Sequence, residues 1–327
     1  MEGTTIKDDY KFNSSKINTR MKVMIGIFSY NEGNNLDLMY HQIKYQCTDL
    51  QYEIVLVDES DEQASLNIVN KIMVEDNVRN ICEKTNRMGK VYGYNVLYHS
   101  FLNSNCSILL HFDADHLLSE NAISNLVVSI DSGYDIVTCL NKPLKAKNLF
   151  QRILNVLSFP AINLRETGQF KYPLVGHNGA YNRKAVQCIN EIPLGGSNEE
   201  IFVLGKVLKN NLKYTIVTQS ICYYAQSLNI NDYLQSVKRS YSKAKTTANT
   251  HSNISQIKDS KGNQLNVLDL VYRPPSINLI ITAVLSDPFA SLFAPFVVLV
   301  RWAAMNTGEI STSDTWDSIE STKILKI

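Results

Sequence analysis

Two aspartates one residue apart, Asp113 and Asp115, follow the apolar run of residues 107–112. A hard divalent cation such as Mg2+ takes oxygen ligands and is commonly held by one or two carboxylates together with substrate phosphates. A D-x-D pair is common by chance; its place at the end of an apolar run is what singles this one out. Two more polar clusters follow apolar runs in the same way: Ser29-Tyr30-Asn31-Glu32 after residues 23–28, and Asp58-Glu59-Ser60-Asp61 after residues 53–57. Lys90 stands in a turn that opens a helix, where a lysine is commonly solvated. Downstream, Glu199-Glu200 heads an apolar segment. Acids in that position suit the helix dipole.

These groups need elements to hold them. Residues 23–28, 53–58, 77–82, 107–115 and 134–140 read as short apolar strands, and the segments 34–47, 64–74 and 90–101 between them read as helices. A further helix is expected to open at Ser119. Strand–helix units of this length predict an α/β fold, a mostly parallel central sheet with helices on both faces. Ligands of such sheets bind beyond the carboxyl ends of the strands, and all three polar clusters fall there. Residues 145–172, with Pro160, are expected to leave the sheet; 180–188 and 199–209 read as helices, 212–217 and 220–224 as separate short strands, and 232–247 as a helix with a basic end.

The balance of 32 Lys plus Arg against 31 Asp plus Glu gives no global field to recruit nucleic acid, and no nucleic-acid motif is present. No two of the six cysteines form a C-x-x-C pair, so they read as small buried hydrophobes in a reducing compartment. Residues 1–20 are polar, lack a secretory apolar core and read as a disordered leader.

The order and spacing of YNE (30–32), EIVLVDES (53–60), G-K-x-x-G-x-N (89–95) and FDADH (112–116) resemble those of family 2 glycosyltransferases, which have the GT-A fold. GHNGAYNRKAV (176–186) is similar to the family's acceptor segment, and NEEIFVLGKVLKNNLKY (198–214) to its Glu-Asp motif with the following helix and strand. The resemblance implies a catalytic domain over residues 21–248, with a nucleotide-sugar half at 21–140 and an acceptor half at 141–248. It implies an inverting, metal-dependent transfer from a UDP-, GDP- or dTDP-sugar, with Mg2+ or Mn2+. Ser29, Tyr30, Glu32 and Asp58 would line the nucleoside pocket, and Lys90 would face the diphosphate. Asp113 would touch ribose or metal, Asp115 would ligate the metal, and His116 would either flank it or lie on the surface. Gly176, His177 and Asn178 would border the acceptor. Glu200 stands where the family has its aspartate base, a departure by one methylene; Glu199 is the alternative base. That departure leaves a non-catalytic nucleotide-binding scaffold as a rival reading.

Residues 249–266 read as a linker, and 267–327 as an apolar, membrane-associated segment and tail. Within residues 277–300 the one charge is Asp287, beside Pro288. A charge at mid-span costs about 2.5–3.5 kcal/mol on insertion scales, so a re-entrant or interfacial hairpin is expected before a span, and soluble helices packed on the main domain are the alternative. Gln235, Arg239 and Tyr241 partly match the Q-x-x-R-W signature of membrane-embedded relatives, as residues 315–323 match their tail. The expected place is the cytoplasmic side of the cell membrane, with a lipid-linked or glycan acceptor; a cytoplasmic enzyme with a soluble acceptor is the runner-up. The oligomeric state stays open.

Overall fold

The computed structural model describes residues 21–76, 78–82, 88–168, 178–194, 198–250 and 277–307. The expected leader, most of the expected linker, Gly176, His177 and residues 315–323 lie outside them.

Eight strands form one sheet: β1 (Lys22–Ser29), β2 (Gln51–Asp58), β3 (Arg79–Asn80), β4 (Ile108–Asp113), β5 (His116–Leu118), β6 (Ile136–Pro143), β7 (Gly179–Asn182) and β8 (Tyr214–Tyr224), in the order β3-β2-β1-β4-β7-β6-β8-β5. The half made of β3, β2, β1 and β4 is parallel, as the strand–helix alternation predicts. β7 then enters antiparallel to both β4 and β6, β8 runs parallel to β6, and β5 closes the edge antiparallel to β8. β1 shows why its sequence is a run of apolar residues. Val23, Ile25 and Ile27 enter one core with α1 (Asn34–Gln46), α2 (Gln63–Asp76) and α4 (Ala122–Asp131). Met24 and Phe28 enter the other, with α3 (Lys90–Leu102), α6 (Arg183–Ile189) and α7 (Glu199–Lys209). A strand covered on both faces cannot alternate apolar with polar.

Four expectations need correction. The segment expected to be irregular is an 18-residue helix, α5 (Leu149–Glu166). Pro160 inside it costs a helix about 3 kcal/mol or more, but the Asn148 side chain caps it, and burial of Ile153, Leu154, Val156 and Pro160 offsets that cost. Residues 180–188 are not one helix: β7 precedes α6, and a Cβ at Gly179 would stand 2.3 Å from the Val137 carbonyl oxygen, an approach that only glycine permits. The two short strands expected at 212–224 are one, β8, with a register irregularity opposite Cys139 and Leu140. The strand expected over 107–115 ends at Asp113, a separate strand spans His116–Leu118, and α4 begins after Asn121 rather than at Ser119. All six cysteines are free, and five are buried; burial pushes the Cys47 and Cys82 thiols up to about 12.

α8 (Ile230–Thr250) follows β8, and the apolar C-terminal segment forms α9 (Ile277–Ser286), α10 (Pro288–Ser291) and α11 (Ala294–Thr307). These three helices pack on α5, and α11 also packs on α8. Ala283, Ala290 and Val297 bury against Ile153, Leu154 and Val156. Among the described residues no helix is long and apolar enough to cross a membrane.

Candidate active site

The parallel register brings the three polar clusters side by side. Ser29 pairs with Asp58, and Phe28 with Asp113, so β1, β2 and β4 end at one level. Each chain turns there, and its acid emerges at the rim.

Two residues outside the expected set hold this rim together. Asn31, in a left-handed conformation at φ 55°, accepts from the amides of Asp61 and Glu62 (both 3.0 Å) and donates to Asp61 Oδ1 (2.6 Å). Its own amide donates to Ser60 Oγ (2.8 Å). Asn31 is thus a clasp between the turns after β1 and β2, and Tyr30 adds a hydroxyl donated to Asp61 Oδ2 (3.2 Å). Glu59 accepts from the amides of Met88 and Gly89 (2.8 Å each). It fixes the turn before Lys90, where Gly89 takes φ 86°, a region costly for any residue with a Cβ. The signal for both is present in the sequence, since Asn tolerates left-handed turns and Glu59 sits inside an acid cluster. What neither reveals is its partner.

The expected donor residues occupy the same rim. Ser29, Tyr30, Glu59, Gly89 and Lys90 line one small pocket with Phe28, Val57 and Gly93. Asp58 lies buried beneath, its carboxylate accepting from the Ser60 hydroxyl (2.7 Å) and amide (3.1 Å). Burial raises its pKa, and the hydrogen bonds from Ser60 only partly offset this. Glu32 accepts from Asn35 Nδ2 (3.0 Å) in the first turn of α1.

Lys90 is the electrostatic centre. Its Nζ lies 2.7 Å from Asp113 Oδ1, 2.9 Å from Asp113 Oδ2 and 3.9 Å from Glu199 Oε1. Burial alone would depress its pKa, but Asp113 and Glu199 outweigh that and hold it above the usual lysine range. Asp113 is itself held from behind: its amide donates to Asn178 Oδ1 (2.9 Å). Asn178 is fully buried, and its side chain supports the turn that carries Asp113.

Asp115 Oδ1 lies 2.7 Å from His116 Nδ1, and Asp113, Asp115 and His116 each offer a ligand atom within 4.8 Å of the others. Two carboxylates and an imidazole suit a divalent cation that also takes phosphate oxygens. Across from them, α7 starts at Asn198, whose side chain caps it by accepting from the Ile201 amide (2.9 Å). Successive helix positions point about 100° apart, so the two glutamates of the first turn diverge. Glu199 turns to Lys90. Glu200 lines a cavity of about 330 Å³ that it shares with Asp113, His116, Arg165 and Tyr224.

An α/β sheet with strand-end acids, a metal-capable trio and a facing carboxylate suits the GT-A fold. The family model of glycosyl transferase family 2 matches residues 24–189, just over half of the 327 residues, and the chain belongs to that family. It superposes on the mannosyltransferase PcManGT of Pyrobaculum calidifontis, solved with GDP-Man and Mn2+, with a TM-score of 0.54 and 16% identity over 88% of this chain and 76% of that one. TarS residues 1–349 of S. aureus, solved with UDP-GlcNAc, overlap with a TM-score of 0.48 and 15% identity over 88% and 89% of the two chains. Glucosyl-3-phosphoglycerate synthase of Mycobacterium tuberculosis, with Mn2+ and UDP, gives 0.48 and 14% over 74% and 82%. No curated protein matches the chain in sequence.

Proposed function

We propose that this glycosyltransferase transfers, with inversion, a sugar from a nucleoside diphosphate donor to a hydroxyl or phosphate of a lipid-linked or glycan acceptor, at the cytoplasmic side of the cell membrane. One observation carries the chemistry: Asp113, His116 and Glu200 line one cavity, with Asp115 paired to His116 at its edge. Asp113 and Asp115 would hold Mg2+ or Mn2+, with His116 beside them. When bound, the metal neutralises charge on the departing diphosphate. Ser29 and Tyr30, which line a pocket above Asp58, would hold the nucleoside together with Glu32, just before α1. Lys90 reaches the diphosphate from the head of α3 and keeps Asp113 in place until the donor arrives.

Glu200 is the general base. It faces the cavity, whereas Glu199 turns to Lys90, which supports the second acid of the pair as the group that takes the acceptor proton. The departure from the family's aspartate supports the rival reading, a scaffold that binds donor without turnover. Incubation with UDP-, GDP- and dTDP-sugars plus Mn2+ or Mg2+ separates the two. Turnover that disappears in Asp115→Ala supports the transferase; donor binding with no hydrolysis or transfer under any metal supports the scaffold.

A further inference from the structure

The hairpin α9–α11 buries one face on α5 and leaves the other bare. Leu285, Leu292, Phe296 and Leu299 are 70%, 75%, 62% and 65% exposed, and Ile281 and Phe289 at least half exposed. Clustered apolar exposure of this kind marks an interaction surface. Three observations say which. First, the one acid of this segment is neutralised by α5. Across residues 277–307 the charged residues are Asp287 and Arg301. Asp287 caps α10 and accepts from Arg152 Nε (2.7 Å) and a second guanidinium nitrogen (2.8 Å), which holds its pKa below the usual carboxylate range. Second, α8, packed beside α11, presents an exposed Lys238 followed by a half-buried Arg239. Third, Arg301 and the exposed Trp302 stand near the hairpin's end, the residue types that settle at headgroup level.

We propose that α8 and α9–α11 together form a monotopic docking surface for an anionic lipid bilayer. The apolar face enters the headgroup–acyl boundary, and Lys238, exposed on α8, meets lipid phosphates. The break at Asp287-Pro288 keeps each helix in the interface, because neither piece reaches the roughly 20 residues that a span needs. α5 ties this surface to the chemistry. Ile153 holds the hairpin, and Arg165, twelve residues on, lines the Glu200 cavity, a separation of about 18 Å along a helix. A lipid-linked acceptor anchored in the same bilayer therefore has to reach only that far. This last step rests on the proposed acceptor; the docking itself does not.

Co-sedimentation of the full chain with phosphatidylcholine vesicles, with and without phosphatidylglycerol, tests the surface. The protein should pellet with the anionic vesicles and do so less at high salt. Leu292→Glu with Leu299→Glu should lower partitioning at least about tenfold while leaving circular dichroism unchanged. Lys238→Glu should weaken binding to anionic vesicles alone, by at least about fivefold. Failure to bind any vesicle, equal binding by the double variant, or a dimer in light scattering that the double variant dissolves would each overturn the proposal; the last would assign the face to a second copy of the chain. Donor hydrolysis measured in the same preparations without vesicles reports on the transferase reading separately.

Discussion

The donor half and the C-terminal hairpin draw on the same residue types for opposite ends. In β1, β2 and β4 the valines, isoleucines and leucines face inward on both sides of the sheet, and the polar residues at the strand ends are held by clasps such as Asn31 and Glu59. In α9–α11 the core contact is made largely by small side chains, Ala283, Ala290 and Val297, while the large ones point away. Apolar character alone therefore does not say whether a segment makes core or interface. The size of the residue that faces inward does.

The sharpest difference concerns chemistry. Glu200→Gln should cut turnover by about two to four orders of magnitude with donor and metal affinity near normal, the usual worth of a general base. Isothermal titration beside steady-state kinetics checks this; an equal loss in Glu199→Gln alone would move the role by one residue. No substitution on the exposed hairpin face should approach that effect on donor hydrolysis.

The same substitution in the two regions should separate them in stability. Leu110→Ala, at a fully buried position of β4, should cost about 2–5 kcal/mol. Leu299→Ala should stay within about 0.5 kcal/mol. Urea unfolding with matched slopes is the measurement, and similar midpoints for the two variants would erase the contrast.

The far end of the sheet offers a pH test. Asp135 accepts from Asn182 Nδ2, the Lys213 amide and Lys184 Nζ. Burial opposes its charge, but these partners win and lower its pKa. The unfolded carboxyl titrates near about 3.9. The stabilisation is therefore complete above roughly pH 5 and is lost as pH falls through the lower folded value. Asp135→Asn should lose about 1–2 kcal/mol at pH 7, and the gap to the parent should narrow as pH falls below about 4. A constant gap across that range would remove the charge from the explanation.

The smallest expected effect is at the head of α7. Asn198→Ala removes a cap worth about 0.5–2 kcal/mol, and should lower turnover further than stability if the cap also aims Glu200. Kinetics at a temperature well below the unfolding midpoint distinguishes the two.

Much of this architecture is legible in residue order. The parallel half is readable because each of its strands is a contiguous apolar run between helices of regular period. The rim acids are readable because such strands end at a ligand-binding edge. α5 is not, since Pro160 argues against a helix locally, and the Asn148 cap with packing on β6, β8 and α9–α11 outweighs it. β7 is not, because four residues entering antiparallel between β4 and β6 carry no period of their own.

By itself, then, the sequence determined the family, the strand-end acids and the acid pair heading α7, all of which depend on residue type and order along the chain. Tertiary structure alone decided how they are shared out. Glu199 and Glu200 are neighbours of the same type, and the position of Lys90 separates one as ion partner from the other in the cavity. Asn178 is equally invisible as a support for Asp113, since their bond joins residues 65 positions apart. Contacts at that separation depend on sheet register and helix packing, which no local pattern encodes.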